Sequence, residues 1–507
     1  MNESAVTDRM LAGRVPLQTF RFGAPVALGM GLQVTFNLVD AYVISRLTPE
    51  VAGPALGALG ICDQLSAMGT IVSYGITTAS TAMLARAAGR GDRDAVRRIV
   101  WQSLIAVGAL SVLFGLLFGV FAGPLVSTVV GAKGRVAELG TTYLRINSAA
   151  AFTGFFLLQL TSIQRALGSS KTPMALLVGS NLVNVVVAVL LVYGAGPAPP
   201  VFAWGPPVAR LLHIPRLELA GAAWATAIAR LVCLLPVVIV LVRRFDVLPR
   251  GRVPGPDWPT LSTIWRVGWP SSAQFVVRIF ALLITLSVVA RAFTTPEDQS
   301  ASTALGVALR LETLALFVSI GWGSAAQTFV GQNLGAGQEG RAFSGAKWAA
   351  GFNGACMVGL ACLYLGVSDV IVRFFDDDQQ VVIVASEYLH IVGLSYVGLG
   401  TGVVFGSAIN GAGATRTTLV ADLSVVLLVQ LPACALAVLL PGATLLRLWI
   451  AVAAAYLLTG AVFLAVFRWI PWSRAATRLE RRSAPPAIEH AGGSPAIAEK
   501  EIPPAGD

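Results

Sequence analysis

The chain has 507 residues, 36 of them basic and 26 acidic, a balance of +10. Only 12% of it is charged while 55% is hydrophobic, and its mean hydropathy is +0.74. A soluble fold of this length could neither hide that much apolar surface nor solvate itself with so few charges, and the same figures exclude disorder for the bulk of the chain. What remains is a polytopic membrane protein. Nucleic acid is not implied by the basic balance, because the basic residues sit at the ends of apolar runs rather than on one patch. Five Cys without a C-x-x-C pair and three widely spaced His leave no metal or haem constellation.

A helix needs about 20 mostly apolar residues to cross the hydrocarbon. In chain order, such runs lie near 17–47, 53–85, 95–122, 136–165, 173–195 and 218–242. After a polar, Pro-rich stretch come 260–292, 300–332, 340–368, 381–410, 417–440 and 444–470, making twelve. No cleavable leader is expected before the first run. Arg and Lys concentrate in alternate connections: Arg86 to Arg98, Arg165 with Lys171, Arg243 to Arg252, Arg341 with Lys347, and Arg416. That bias predicts both termini on the cytoplasmic side. The expected organisation is a cytoplasmic segment 1–16, a first lobe 17–242, a cytoplasmic linker 243–259, a second lobe 260–470 and a disordered tail 471–507.

An internal repeat joins the two lobes. Arg21-x-Gly23-x-Pro25 opens the first span, and Arg266-x-Gly268-x-Pro270 opens the seventh, 245 residues on. Gly89-Arg-Gly91 and Gly335-Ala-Gly337 follow the second and eighth spans; Gly168 with Lys171 and Gly413 with Arg416 follow the fourth and tenth. Six spans is an even number, so each half starts on the same side of the membrane and the repeats are parallel. Two facing bundles enclose a cleft that can open to either side by rocking.

Several motifs resemble the multidrug and toxic compound extrusion (MATE) transporters. They include Pro25 with Asn37-Leu-Val-Asp40, Arg165-Ala-Leu-Gly168-Ser-Ser-Lys171-Thr-Pro173 with Asn184, and Gly221-Ala-Ala-Trp-Ala-Thr226. Arg310-Leu-Glu312 and Val330-Gly-Gln-Asn-Leu-Gly-Ala-Gly337 continue the series, which spans about residues 17 to 470 in order. The resemblance implies an all-α integral membrane fold, twelve helices in two parallel-repeat six-helix bundles. It also implies proton- or sodium-coupled antiport that exports organic compounds, with no cofactor beyond the coupling ion and no enzymatic activity.

A carboxylate at a helix centre costs about 2.5–3.5 kcal/mol on insertion scales, so one that is present is functional by default. Asp40 is the first candidate, with Asn37 at i−3 and Gln33 at i−7 on nearly the same face. Pairing with Arg46 at the interface is the bland alternative. By resemblance, Asn184 and Thr226 join Asp40 in a first-lobe cation network, as in the DNA-damage-inducible branch. That branch places a second acid where this chain has Ala188, and a Tyr where it has Phe36. Asn181 reads as glue between helices.

In the second lobe, Glu312 resembles an acidic coupling position, and Arg278 needs an anion partner, for which Glu312 is the expectation. Glu387 with His390 could titrate as a pair or sit at the interface, and Asp422 is expected near the cytoplasmic surface. The cleft is expected to be lined by Met30, Gln33, Phe36, Gln159, Phe275 and Arg278, a surface suited to amphipathic or cationic compounds.

Two rivals remain. A flippase for lipid-linked saccharide would want several cavity cations, and an integral-membrane enzyme would want paired acidic clusters. The single Asp376-Asp377-Asp378 run reads as a solvated turn. The expected partners are a small organic substrate and the lipid bilayer, not nucleic acid. The expected state is a monomer in the bacterial inner membrane.

Overall fold

The computed structural model describes residues 10–248, 254–295 and 297–470; at 35–38 and 49 it describes the backbone alone. The tail 471–507, most of the segment 1–16 and the middle of the linker 243–259 therefore lie outside the described residues. With no water in the bilayer core, each crossing segment must satisfy its own backbone, and it does so as helix. Among the described residues, eleven helices are long and apolar enough to cross, and a bent pair makes a twelfth.

The first six are α1 Val15–Ser45, α2 Pro49–Gly89, α3 Arg93–Val120, the bent α4 Gly134–Ala149 with Ala151–Ala166, α5 Lys171–Tyr193 and α6 Glu218–Val240. The second six are α7 Trp258–Ala292, α8 Ser300–Gly335, α9 Glu339–Arg373, α10 Gln379–Gly411, α11 Thr415–Val425 continuing through Leu431–Leu439, and α12 Leu445–Trp469. Short polar side chains start several of them. Asp92 accepts from the Ala95 amide at 2.9 Å to cap α3, and Asp378 accepts from Gln380 at 2.8 Å to cap α10.

The fourth span, expected as one run over 136–165, is bent by 47° at Ala150. The freed Ala150 carbonyl accepts from both the amide and the hydroxyl of Thr153, at 3.0 and 2.8 Å. In α11 a wide π-turn, Val426–Gln430, precedes Pro432, which has no amide to offer the turn before it.

The repeat is visible in three dimensions. Gly91 and Gly337 end the turns after α2 and α8 with φ of +72° and +73°, a left-handed conformation that side chains resist. Each lobe has its own apolar core, one around Ile44, Cys62 and Leu84, the other around Tyr388, Leu389 and Trp449. The lobes meet where α1 and α2 pack against α7 and α8. Across this seam Ser272 Oγ donates to the Ile71 carbonyl at 3.1 Å, Gln327 Nε2 to Thr78 at 2.8 Å and Gln332 Nε2 to Ala166 at 2.8 Å. Gly89 lies on the Gln332 carbonyl and Gly335 on the Arg86 carbonyl, approaches that any side chain would block. All of these contacts fall toward the end of the bundle where the chain begins.

Both flanks of the linker are tied to α3. Arg97 binds Asp246 through its carbonyl at 3.1 Å and its carboxylate at 3.0 Å. Trp101 Nε1 donates to Pro254 at 2.7 Å and Gln102 Nε2 to Gly255 at 2.9 Å, while Gln102 Oε1 accepts from the Asp257 amide at 2.9 Å.

Candidate functional site

Asp40 stands five residues before the end of α1, half-buried, and faces α5. The Asn184 Nδ2 donates to Asp40 Oδ1 at 2.7 Å. Asn184 is itself buried, and its own Oδ1 has no partner. A carboxylate beside an unused neutral oxygen is the donor set a small cation or a shared proton requires. Thr226 does not reach Asp40, since its hydroxyl returns to the Ala222 carbonyl one turn back, at 3.1 Å. Asn37 and Phe36 lie on the segment whose side chains are outside the described residues.

One turn and more below Asp40, Gln33 and Asn181 pair amide to amide at 3.2 and 3.4 Å, tying α1 to α5. Met30 lines a narrow pocket with Arg165, Met174 and Leu177. Gln159 is a correction. It is fully buried within the first lobe, accepting from Thr77 at 3.0 Å and donating to Ser80 and Ser103 at 2.9 and 3.0 Å. Its amide holds α2, α3 and α4 together and faces no cleft. Phe275 packs edge-on against Tyr74 across the lobe seam, with centroids 4.4 Å apart.

The structure adds residues that the sequence reading passed over. Arg230, halfway along α6, lies within electrostatic reach of Asp40, Asp63 and Tyr143. Its guanidinium rests on α4 at Gly154, where a side chain would come within 3.0 Å of Nη1. Asp63, on α2, is exposed and lies within electrostatic reach of both Arg230 and Tyr143. The signal was present, since each is a lone charge inside an apolar run.

In the second lobe Glu312 is buried and held by tyrosines. Tyr388 donates to its Oε2 and Tyr456 to its Oε1, both at 2.6 Å. Tyr396 is buried beside the same carboxylate without a well-formed hydrogen bond, and Tyr364 donates past it to the Leu311 carbonyl at 3.0 Å. Four of the chain's eight tyrosines thus gather around one acid.

The expected Arg278–Glu312 pair does not form. Arg278 Nη2 instead reaches both carboxylate oxygens of Asp422 at 3.1 Å. The reason is angular: Arg278 on α7 faces α11, whereas Glu312 on α8 turns toward α10 and α12. Asp422 is correspondingly buried and paired. Arg310 is exposed, away from Glu312. His390 shares a 2.9 Å hydrogen bond with Ser368 on α9, not with Glu387. Among the described residues no group of His, Cys, Asp and Glu could hold a metal ion.

The repeat also orders these polar sites. Gln33 and Arg278 are 245 positions apart, and each bonds the fifth helix of its own lobe. Tyr143 and Tyr388 are likewise 245 apart, on the fourth helix of each lobe, beside an acid carried by the second. The first lobe gives that acid an arginine; the second gives it hydroxyls.

Comparison with known proteins places this geometry. The family model MatE matches residues 25–190 and 270–436. The chain is 24% identical to the probable multidrug resistance protein YpnP of Bacillus subtilis, over 81% of this chain and 86% of that protein. It is 25% identical to the FAD transporter of Shewanella oneidensis, over 85% and 89%. A solved outward-facing multidrug resistance MATE family transporter superposes with a TM-score of 0.78 at 20% identity, covering 93% of this chain and 98% of that one.

Proposed function

The chain belongs to the MatE family of secondary transporters, and from that premise we propose that it exports organic compounds by exchanging them for a proton or Na⁺ bound at Asp40. The observation that carries this reading is the Asp40–Asn184 contact, with its unused Asn184 Oδ1. Amide oxygen and nitrogen are interchangeable by a flip. Asn184 can therefore donate to ionised Asp40, accept from protonated Asp40, or supply an oxygen to Na⁺.

Ion binding removes the net charge of a half-buried carboxylate and so biases which of two bundle arrangements is favoured. In the arrangement described, the lobes are sealed at the end where the chain begins. With the termini cytoplasmic, as the Arg and Lys distribution supports, the cleft faces outward from a bacterial inner membrane. An ion entering there would favour release of substrate and return of the cleft to the cytoplasm. One charge crossing 100 mV yields about 2.3 kcal/mol, enough for roughly a 50-fold solute gradient.

Glu312 supports a second titratable station in the other lobe, since two tyrosines satisfy its carboxylate oxygens. Substrates of amphipathic or cationic character suit the acids on the cleft side. The names of the relatives span drug resistance and FAD transport, so the common denominator is an organic solute.

The test is efflux of a fluorescent organic cation from energised membrane vesicles, under separately imposed pH and Na⁺ gradients. Wild type should transport under at least one gradient, and Asp40→Asn should abolish that dependence. Unchanged coupling in Asp40→Asn would remove Asp40 from the mechanism.

A further inference from the structure

The groups around Asp40 carry a charge balance that the Asp40–Asn184 pair alone does not explain. Asp63 approaches from α2, Tyr143 from α4 and Arg230 from α6, with Cys62 adjacent on α2. Position 62 is fixed against α4 because its Sγ donates to the Gly140 carbonyl at 3.2 Å. Ser66 is fixed by Asn147 Nδ2 at 2.8 Å. Asp63 lies between these two anchors, so its place at the α2–α4 seam is set by packing on both sides. Arg230, seated on Gly154, closes an ion pair with neither carboxylate among the described residues.

We propose that Asp63 is the second carboxylate of the first-lobe coupling site, taking the role that Ala188 cannot, and that Arg230 is a built-in counter-charge limiting the site to one monovalent cation. This rests on the reading of Asp40 above.

With both acids ionised and Arg230 charged, the cluster carries one net negative charge. One proton or one Na⁺ neutralises it, and a second has no charge to answer. The unpartnered Asn184 Oδ1, buried at the edge of the cluster, supplies the neutral oxygen. Asp63 is the accessible member, so the ion meets it first and Asp40 second. An arginine within electrostatic reach of two acids, closing on neither, lowers their mutual repulsion without taking up their carboxylate oxygens.

The scheme makes predictions of opposite sign. Removing Asp63 leaves Asp40 and Arg230 neutral together, so the cation loses its attraction. Removing Arg230 leaves two negative charges, so attraction grows. For charges within electrostatic reach of one another, each change should shift apparent ion affinity by about tenfold.

The experiment uses the full chain in proteoliposomes, with charge displacement recorded after proton or Na⁺ jumps and no substrate added. Asp63→Asn should raise the half-saturating ion concentration, and Arg230→Gln should lower it and increase the charge displaced. The double variant Asp63→Asn/Arg230→Gln has the wild-type net charge and should return to near the wild-type midpoint. A purely structural role would not produce opposite signs or a rescue. If Arg230→Gln does not yield folded protein, Asp63→Glu, which keeps the charge, should behave as wild type beside a weakened Asp63→Asn. Asp63→Asn indistinguishable from wild type, with displacement lost in Asp40→Asn, would overturn this proposal alone. Displacement unchanged in Asp40→Asn would instead overturn the coupling reading on which it rests.

Discussion

Arg278 and Asp422 show what a charge inside a membrane bundle demands of its neighbours. The pair is nearly dry on the Asp422 side, 4% exposed, so truncating one partner strands the other. Arg278→Leu should destabilise the protein by about 3–5 kcal/mol, read as a lowered midpoint of thermal unfolding. The double variant Arg278→Leu/Asp422→Leu should recover most of that loss, because it removes both desolvation costs. A double variant no better than either single would mean the pair does not act as a unit. At this scale the sequence told where charges lie but not where they point. Asp40, Glu312 and Arg278 stood out because nothing else polar surrounds them in their runs. Their partners depend on helix rotation, which a charge count does not encode. Thus Asp422 and the tyrosines of Glu312 emerged only in three dimensions. Asn181 was legible, since an amide in an apolar helix has few uses besides another helix.

At the scale of elements, the spans were legible because length and apolarity are set by bilayer thickness. The bend of α4 was not, since nothing in Ser148-Ala149-Ala150 breaks helix propensity. Equally invisible was the clasp at the start of α1. Arg341, on α9, donates to the carbonyls of Gly13 at 2.9 Å and of Met10 and Ala12 at 3.3 Å, while its Nε holds Asn333 at 3.2 Å. Met10 is buried beneath it with Phe22, Ala325 and Phe329. The beginning of the first lobe's chain is thereby fastened to the second lobe. Arg341→Ala should raise amide hydrogen exchange at residues 10–13 by tenfold or more, with α9 itself unchanged. Protection equal to wild type would show that the buried Met10 alone suffices.

For the whole molecule, the parallel repeat was the most legible feature, and its physical reason lies at the seam. Gly89 and Gly335 occupy the same station in the two lobes, and each touches the other lobe's backbone. Related glycines thus close one end of the bundle. Gly335→Val would press a branched side chain onto the Arg86 carbonyl, penalising only the arrangement in which the lobes touch there. Spin labels at Arg93 and Glu339, both exposed near the ends of α2 and α8, should report a longer distance in the variant. Unchanged distances would mean the seam relaxes without opening. The end at which the lobes close could not be read from the sequence, because it depends on which faces of α1, α2, α7 and α8 meet.

The linker has a mechanical consequence. Since α3 grips Asp246 on one side and Pro254 to Asp257 on the other, both flanks of the connection travel with the first lobe, and the chain enters the second lobe at a foot, Trp258. From that foot α7 runs for 35 residues, a lever about 52 Å long. A rotation of roughly 10° about such a foot would sweep its far tip through about 9 Å. That is the width of a drug-sized ring system, gained with no stretching of the tether and no repacking of either lobe's interior.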